Sequence, residues 1–359
     1  MRVQSLLLTL FVVGCASQGS TAYYPSATGV TSALAHSANQ YLFVASGVNH
    51  KGDNPGHITV FAAGSAQPLK LITSGVYKPL ALATDASGKL AAANSFGYNG
   101  FVSTYPPGHT KIFHRLTSSI SQPDAVVFDS RGNLYVANIG KQSSVTVYAP
   151  GAMKPFRTIT SGMNCPVSLL LDDSGNLYVA NLYAESVTIY RTGSDIPIRT
   201  ITDGINGPAA LALDNQGSLF VANLGRLGHP GSIAVYGKTQ EHPLRTITAG
   251  IYSPISLVMD SANNLYVANR DARPYGSVTV YKAGRSEPAR AITEGINDPI
   301  AVKLDSAGDL YVANHFGCAH GSSCQTGSVT IYAPDASVPT AVISKDLRIP
   351  EAITFGSQY

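Results

Sequence analysis

One six-residue fragment recurs down this chain of 359 residues. It is written Asn133-Leu134-Tyr135-Val136-Ala137-Asn138 and returns at 176–181, 218–223, 264–269 and 309–314, with weaker copies at 41–46 and 89–94. The copies end at Ser46, Asn94, Asn138, Asn181, Asn223, Asn269 and Asn314, spaced 42 to 48 residues apart. A period of that length implies a propeller or a solenoid, because a single such unit cannot bury its own apolar face. Residues shared by nearly every copy are expected to hold the architecture. Recognition belongs where the copies differ.

The fourth copy shows the plan. Pro166 opens an apolar run, 167–171, broken only by Ser168, and the turn Asp172-Asp173-Ser174-Gly175 follows. The Asp carboxylate can accept bonds from backbone N–H groups two residues on, and Gly supplies the positive φ of a tight hairpin. The same chemistry stands at Asp129 to Gly132, Asp214 to Gly217 and Asp305 to Gly308. The second run, 177–180, is apolar on both faces, as suits a sheet sandwiched between two others. Ser186-Val187-Thr188-Ile189-Tyr190 and Arg199-Thr200-Ile201-Thr202 complete four short antiparallel strands, A to D.

Seven strands of type B predict an all-β chain, a seven-bladed propeller of four-stranded blades. The fourth strand carries Lys70, Arg115, Arg157, Arg199, Arg245 or Arg290, which reads as charge protecting an outer edge. The terminal Asn reads as a cap on the B–C turn. Two segments compete to complete blade 1, the C-terminal run 350–355 and the run 32–36; the first has the leading Pro.

With Leu134 to Asn138 and Ser144-Val145-Thr146-Val147-Tyr148 as its signature, the repeat resembles the NHL and YVTN families of β-propeller repeats over residues 41–355. The resemblance implies the fold and leaves function open, since such propellers include lyases, lactonases, sensors and binding modules. Propeller lactonases place acidic and amide side chains around a central divalent ion. Here strand A opens with Leu80, Asp124, Val167, Ala209, Ile255, Ile300 and Glu351, a largely apolar mouth with two carboxylates. No metal, cofactor or catalytic residue is expected from that set.

The N-terminus supplies an address. Arg2 precedes the apolar stretch 6–13, and Val12-Val13-Gly14-Cys15 resembles a bacterial lipobox, in which Cys15 becomes the lipidated first residue. An ordinary signal peptide with an incidental Cys is the alternative. The stretch is too short to span a bilayer as a helix. The expected organisation is a signal at 1–14, a flexible tether at 15–29 and a propeller at 30–359, exported, anchored outside a bacterial membrane and monomeric. Export permits disulfides, and Cys318 and Cys324 could close a small ring in one B–C loop; Cys165 is left over as a small semi-buried residue. Charged residues make up 13% of the chain and the net charge is +3, so there is no nucleic-acid footprint.

In this strand order the B–C and D–A connections share one face, and the B–C loops diverge most between copies. Candidate binding residues on them are His50, Asp53, Arg226, His229, Arg270, Asp271, Arg273, Tyr275 and His315, with His57 and His320 at the loop edges. The leading expectation is a non-enzymatic envelope module that binds a protein or glycan through this face. The rival is a metal-dependent, lactonase-like hydrolase or lyase using the His-containing rim.

Overall fold

A computed structural model describes residues 27–28, 40–47, 55–96, 99–225, 230–270, 275–316 and 326–357. Cys15, His50, Asp53, Arg226, His229, Asp271, Arg273, Cys318, His320 and Cys324 lie outside the described residues.

Seven four-stranded antiparallel blades form a β-propeller, and no helix occurs among the described residues. Blade 4 is typical: strand A is Pro166–Leu171, B is Leu177–Asn181, C is Ser186–Tyr190 and D is Arg199–Ile201. Strand A lies innermost and D outermost. Blade 1 takes its inner strand from the C-terminus: Pro350–Gly356 pairs with Tyr41–Ser46, Val44 standing opposite Ile353. C-terminal closure thus settles the competition between the two candidate strands. A two-residue strand, Ala27–Thr28, adds to the free inner edge of blade 4, within the span read as tether.

The A–B turns obey the predicted chemistry. Asp172 Oδ1 accepts from the N–H groups of Ser174 and Asn176 at 3.0 and 2.8 Å, and Asp85, Asp129, Asp214, Asp260 and Asp305 repeat the pattern. Gly175 then adopts φ 75°, the left-handed region that Gly enters without steric cost. Asn263 takes that place in blade 6 with φ 62°.

The terminal Asn has a different job from capping the B–C turn. Asn181 Oδ1 accepts from Asn164 N–H at 3.1 Å, and its Nδ2 donates to Thr188 Oγ1 at 3.0 Å. Asn94, Asn138, Asn223, Asn269 and Asn314 likewise accept from a backbone N–H seventeen residues earlier, in the D–A connection. Each buried amide therefore ties strands B and C to the loop that feeds its own blade. Ser46 holds the position in blade 1, accepting from Arg348 N–H at 3.5 Å.

The last Tyr of strand C works from the other side. Tyr105, Tyr190, Tyr236 and Tyr332 donate their hydroxyls to the carbonyls of Ser74, Ser161, Asp203 and Glu294, in connections arriving from the preceding blade. Tyr148 and Tyr281 do the same to Ser118 and Ala249. A buried hydroxyl needs such a partner. Phe61, fully buried, holds the place in blade 1 without a hydroxyl.

The outer cations staple blades rather than merely discourage edge pairing. Arg157 Nε meets Asp195 at 2.6 Å, Arg199 donates to the Lys238 carbonyl at 3.0 Å, and Arg290 meets Asp335 at 3.3 Å, each in the C–D turn of the next blade. Arg115 departs from the set. Blade 2 is registered so that His114, opposite Thr104, takes the staple position, and Arg115 stacks 3.9 Å over the Phe101 ring instead.

Candidate functional site

Four charged side chains meet where the B–C and D–A connections emerge, across blades 6, 7 and 1. Arg270 follows strand B of blade 6 and His315 follows strand B of blade 7. Asp298 ends the connection into blade 7, and Glu351 is the second residue of the C-terminal strand. Arg270 Nε donates to Asp298 Oδ1 at 2.7 Å and its Nη2 to Oδ2 at 3.2 Å, a two-pronged pairing of planar groups. His315 lies between two carboxylates, with Nδ1 at 3.2 Å from Asp298 Oδ2 and Nε2 at 3.1 Å from Glu351 Oε2.

Both His315 nitrogens thus face acceptors, so the ring is held as imidazolium. Burial alone would push its pKa down; the Glu351 charge and hydrogen bonds to both carboxylates outweigh that and lift it to about 9. Burial raises the Asp298 pKa, but the His315 hydrogen bond and the Arg270 charge win and hold it at about 2. Two cations and two anions balance. Gly47 makes room, since a Cβ there would come within 2.5 Å of Glu351 Oε1.

This clasp joins three sequence candidates or their neighbours. Arg270 and His315 are in it, and Tyr275 touches it through its carbonyl, which accepts from Asp298 N–H at 2.7 Å. Asp298 was missed by attending to B–C loops. Its signal was a departure at one repeat position, the residue before the strand-A Pro, otherwise Lys78, Gln122, Cys165, Gly207, Ser253 and Ile349. Asp124, the other mouth carboxylate, is buried in blade 3 and is not part of the clasp. His57 is turned inward, its Nε2 at 2.8 Å from the Asp346 carbonyl. Among the described residues, no group of three His, Cys, Asp or Glu is placed to hold a metal ion.

Blades 3 to 5 present the opposite character on the same face. Ile139, Leu182 and Leu224 occupy the place that Arg270 and His315 hold in blades 6 and 7. Ile139, Tyr183 and Leu224 are half-buried against a cluster containing Cys165, Val167 and Leu182. Cys165 is fully buried there at φ 57°, as a core residue. The mouth is therefore split into an apolar arc and an arc of compensated charge.

No family model matches the chain, and no curated protein matches it. Among solved structures, hydrazine synthase of Kuenenia stuttgartiensis is similar, with a TM-score of 0.62 and 15% identity over 76% of this chain and 88% of that one. At that identity the likeness is one of fold.

Proposed function

We propose that this chain is a non-enzymatic binding propeller, anchored outside a bacterial membrane through a lipid on Cys15, that engages a protein or glycan through its B–C face. The observation that carries the reading is the split mouth: apolar Ile139, Tyr183 and Leu224 beside the Arg270–Asp298–His315–Glu351 clasp, all fixed on strand ends. A few charged groups next to half-buried apolar side chains on a rigid frame is the composition of recognition surfaces. The clasp is poorly suited to acid–base chemistry, since a His with both N–H groups engaged offers no lone pair.

Arg270 is unsuited to a binding test, because removing it strips Asp298 of its cation. Ile139→Glu, and separately the pair Asp271→Ala and Arg273→Ala, keep the clasp intact. The expected result is at least tenfold lower recovery of partner from envelope extracts by one of these variants, with unchanged circular dichroism. Full recovery by both removes this face from the reading. A stoichiometric divalent ion, with lactone or ester turnover that chelation abolishes, would install the metal-dependent hydrolase instead.

The address has its own test. Cys15→Ala should escape cleavage by the lipoprotein peptidase, and a chain starting at Ser17 should leave the membrane fraction. Each buried CH₂ of an acyl chain contributes about 0.8 kcal/mol, so several chains on one residue anchor stably. A chain starting at Ser17 that still sediments with membranes places the anchor elsewhere.

A further inference from the structure

Blade 2 departs from the repeat on the B–C face. In blades 3 to 7 the pairing of strands B and C ends where the terminal Asn stands opposite a Ser, as Asn181 does opposite Ser186. In blade 2 it runs on for two rungs, Ser95 opposite Gly100 and Phe96 opposite Asn99. Strand B is therefore Leu90–Phe96 and strand C Asn99–Tyr105. At the rise of a strand the ladder reaches about 7 Å further out than its neighbours. The Ser is replaced as well, by Phe101 opposite Asn94.

Paired and alternate residues of a ladder share one side, so Asn94, Phe96, Asn99 and Phe101 lie together. Phe96 meets Phe101 edge to face at 6.1 Å and 68°, and meets Tyr77 of the D–A connection at 5.0 Å and 73°. Tyr77 is fixed in turn, its N–H donating to Asn94 Oδ1 at 2.8 Å. The strand D slip puts Arg115 opposite Ser103, where blades 3 to 5 have Thr158, Thr200 and Thr246, and so brings its guanidinium 3.9 Å over Phe101. A longer hairpin, a Phe for a Ser and a slipped strand thus build one aromatic corner. Phe101 is buried at its base, Phe96 is half-buried and Tyr77 is 41% exposed.

An aromatic face is negative, and it attracts the weakly positive C–H groups that line one face of a β-linked pyranose. Asn99 is exposed on the same side and offers uncharged hydrogen-bonding groups. Arg115, already over Phe101, disfavours a cationic ligand. Even fully covered, two rings bury at most about 500 Å², short of the roughly 800 Å² per partner of a stable protein interface. The corner has the footprint of one or two sugar rings.

We propose that Tyr77 and Phe96, raised on the blade 2 hairpin, form a saccharide subsite that stacks against a neutral β-linked pyranose chain. This narrows the binding reading to its glycan branch and rests on it, but it uses a different part of the B–C face from the apolar arc.

The full chain, in a detergent without a sugar headgroup, is run in native gels containing hydroxyethyl cellulose, glycol chitin or β-1,4-galactan. At least one polymer should retard it. Tyr77→Leu and Phe96→Leu, which keep apolar bulk but remove a π-face, should each weaken retardation at least tenfold with unchanged circular dichroism. Tyr77→Trp should bind within threefold of wild type. The chain has no other Trp, so its emission should shift to the blue as polymer is added. No retardation by any of the three overturns the proposal, as do Leu variants that bind like wild type, which would mark a merely apolar contact. Retention by carboxymethyl cellulose alone, lost in high salt, assigns the binding to charge and overturns it equally. If Ile139→Glu lowers capture from envelope extracts while no polymer is retained, this proposal falls and the binding reading stands. If the Leu variants lose the polymer while the arc variants capture normally, the arc falls and the blade 2 subsite stands.

Discussion

Glu351→Gln lowers stability by about 3–5 kcal/mol, read as a fall in the guanidinium midpoint. The substitution keeps the shape and removes one charge, leaving the His315 imidazolium buried beside Arg270, Nη2 of which lies 3.4 Å from its Nδ1. Breaking a buried pair from one side costs that much because the surviving charge has lost the compensation for its desolvation. The pH dependence follows with a definite sign. His315 titrates in the unfolded chain near 6.5 and in the folded chain at about 9. Its contribution, on the order of 3 kcal/mol, is fully present below pH 6.5 and is lost as pH rises through 9. Asp298 acts at the other limit: its contribution is present above 3.8 and is lost as pH falls through about 2. His57 has a lowered pKa, through burial, so its effect is confined to the region around and below 6.5. The buried tyrosines are pushed up, Tyr105 to about 12, and stay neutral below pH 10. Above pH 8 Lys303, whose pKa burial lowers to about 8, adds a rise in stability of opposite sign, so His315 is read from the slope between pH 7 and 8. A flat wild-type midpoint across that window would sink the clasp as an ionic device, and the slope should be absent from Glu351→Gln.

The architecture was legible because its chemistry is local and repeated. Asp172 bonds two N–H groups within four residues of itself, and the hairpin it makes is visible in any one copy. Asn181 was legible only as important. It binds Asn164, seventeen residues away, across a connection that no local turn rule links to strand B. The shift of Arg115 was hidden for a related reason. Similar residues aligned by type conceal a one-place slip, and only the strand register puts His114 where blades 1 and 3 to 6 have Lys or Arg and blade 7 has Ala341. The clasp was half legible. Arg270, His315 and Glu351 could each be named, but their meeting depends on blade closure bringing the C-terminal strand beside blade 7. Asp298 resembled a loop residue until compared with the other six at its place.

Glycine before strand C shows how the same repeat reasoning extends to packing. Gly56, Gly100, Gly231, Gly276 and Gly327 each stand against the Pro that opens the next blade: Pro79, Pro123, Pro254, Pro299 and Pro350. At Gly231 a Cβ would lie 2.6 Å from Pro254 Cδ, 3.0 Å from the Ser253 nitrogen and 3.3 Å from the Asn223 carbonyl. Two of those atoms are backbone, and the third is a ring that cannot rotate aside. Neighbouring blades must separate to admit the methyl, so Gly231→Ala should cost about 2–3 kcal/mol, the usual penalty of overpacking. Gly151 supplies the matched control. It has φ 76° and open space within 4 Å of its Cβ position, so Gly151→Ala tests the left-handed backbone alone, at about 1 kcal/mol. Midpoints of the two variants should rank with Gly231→Ala the lower. A Gly231→Ala protein as stable as Gly151→Ala would mean that the blades yield at this contact, and that close approach of Pro254 is not what selects glycine there.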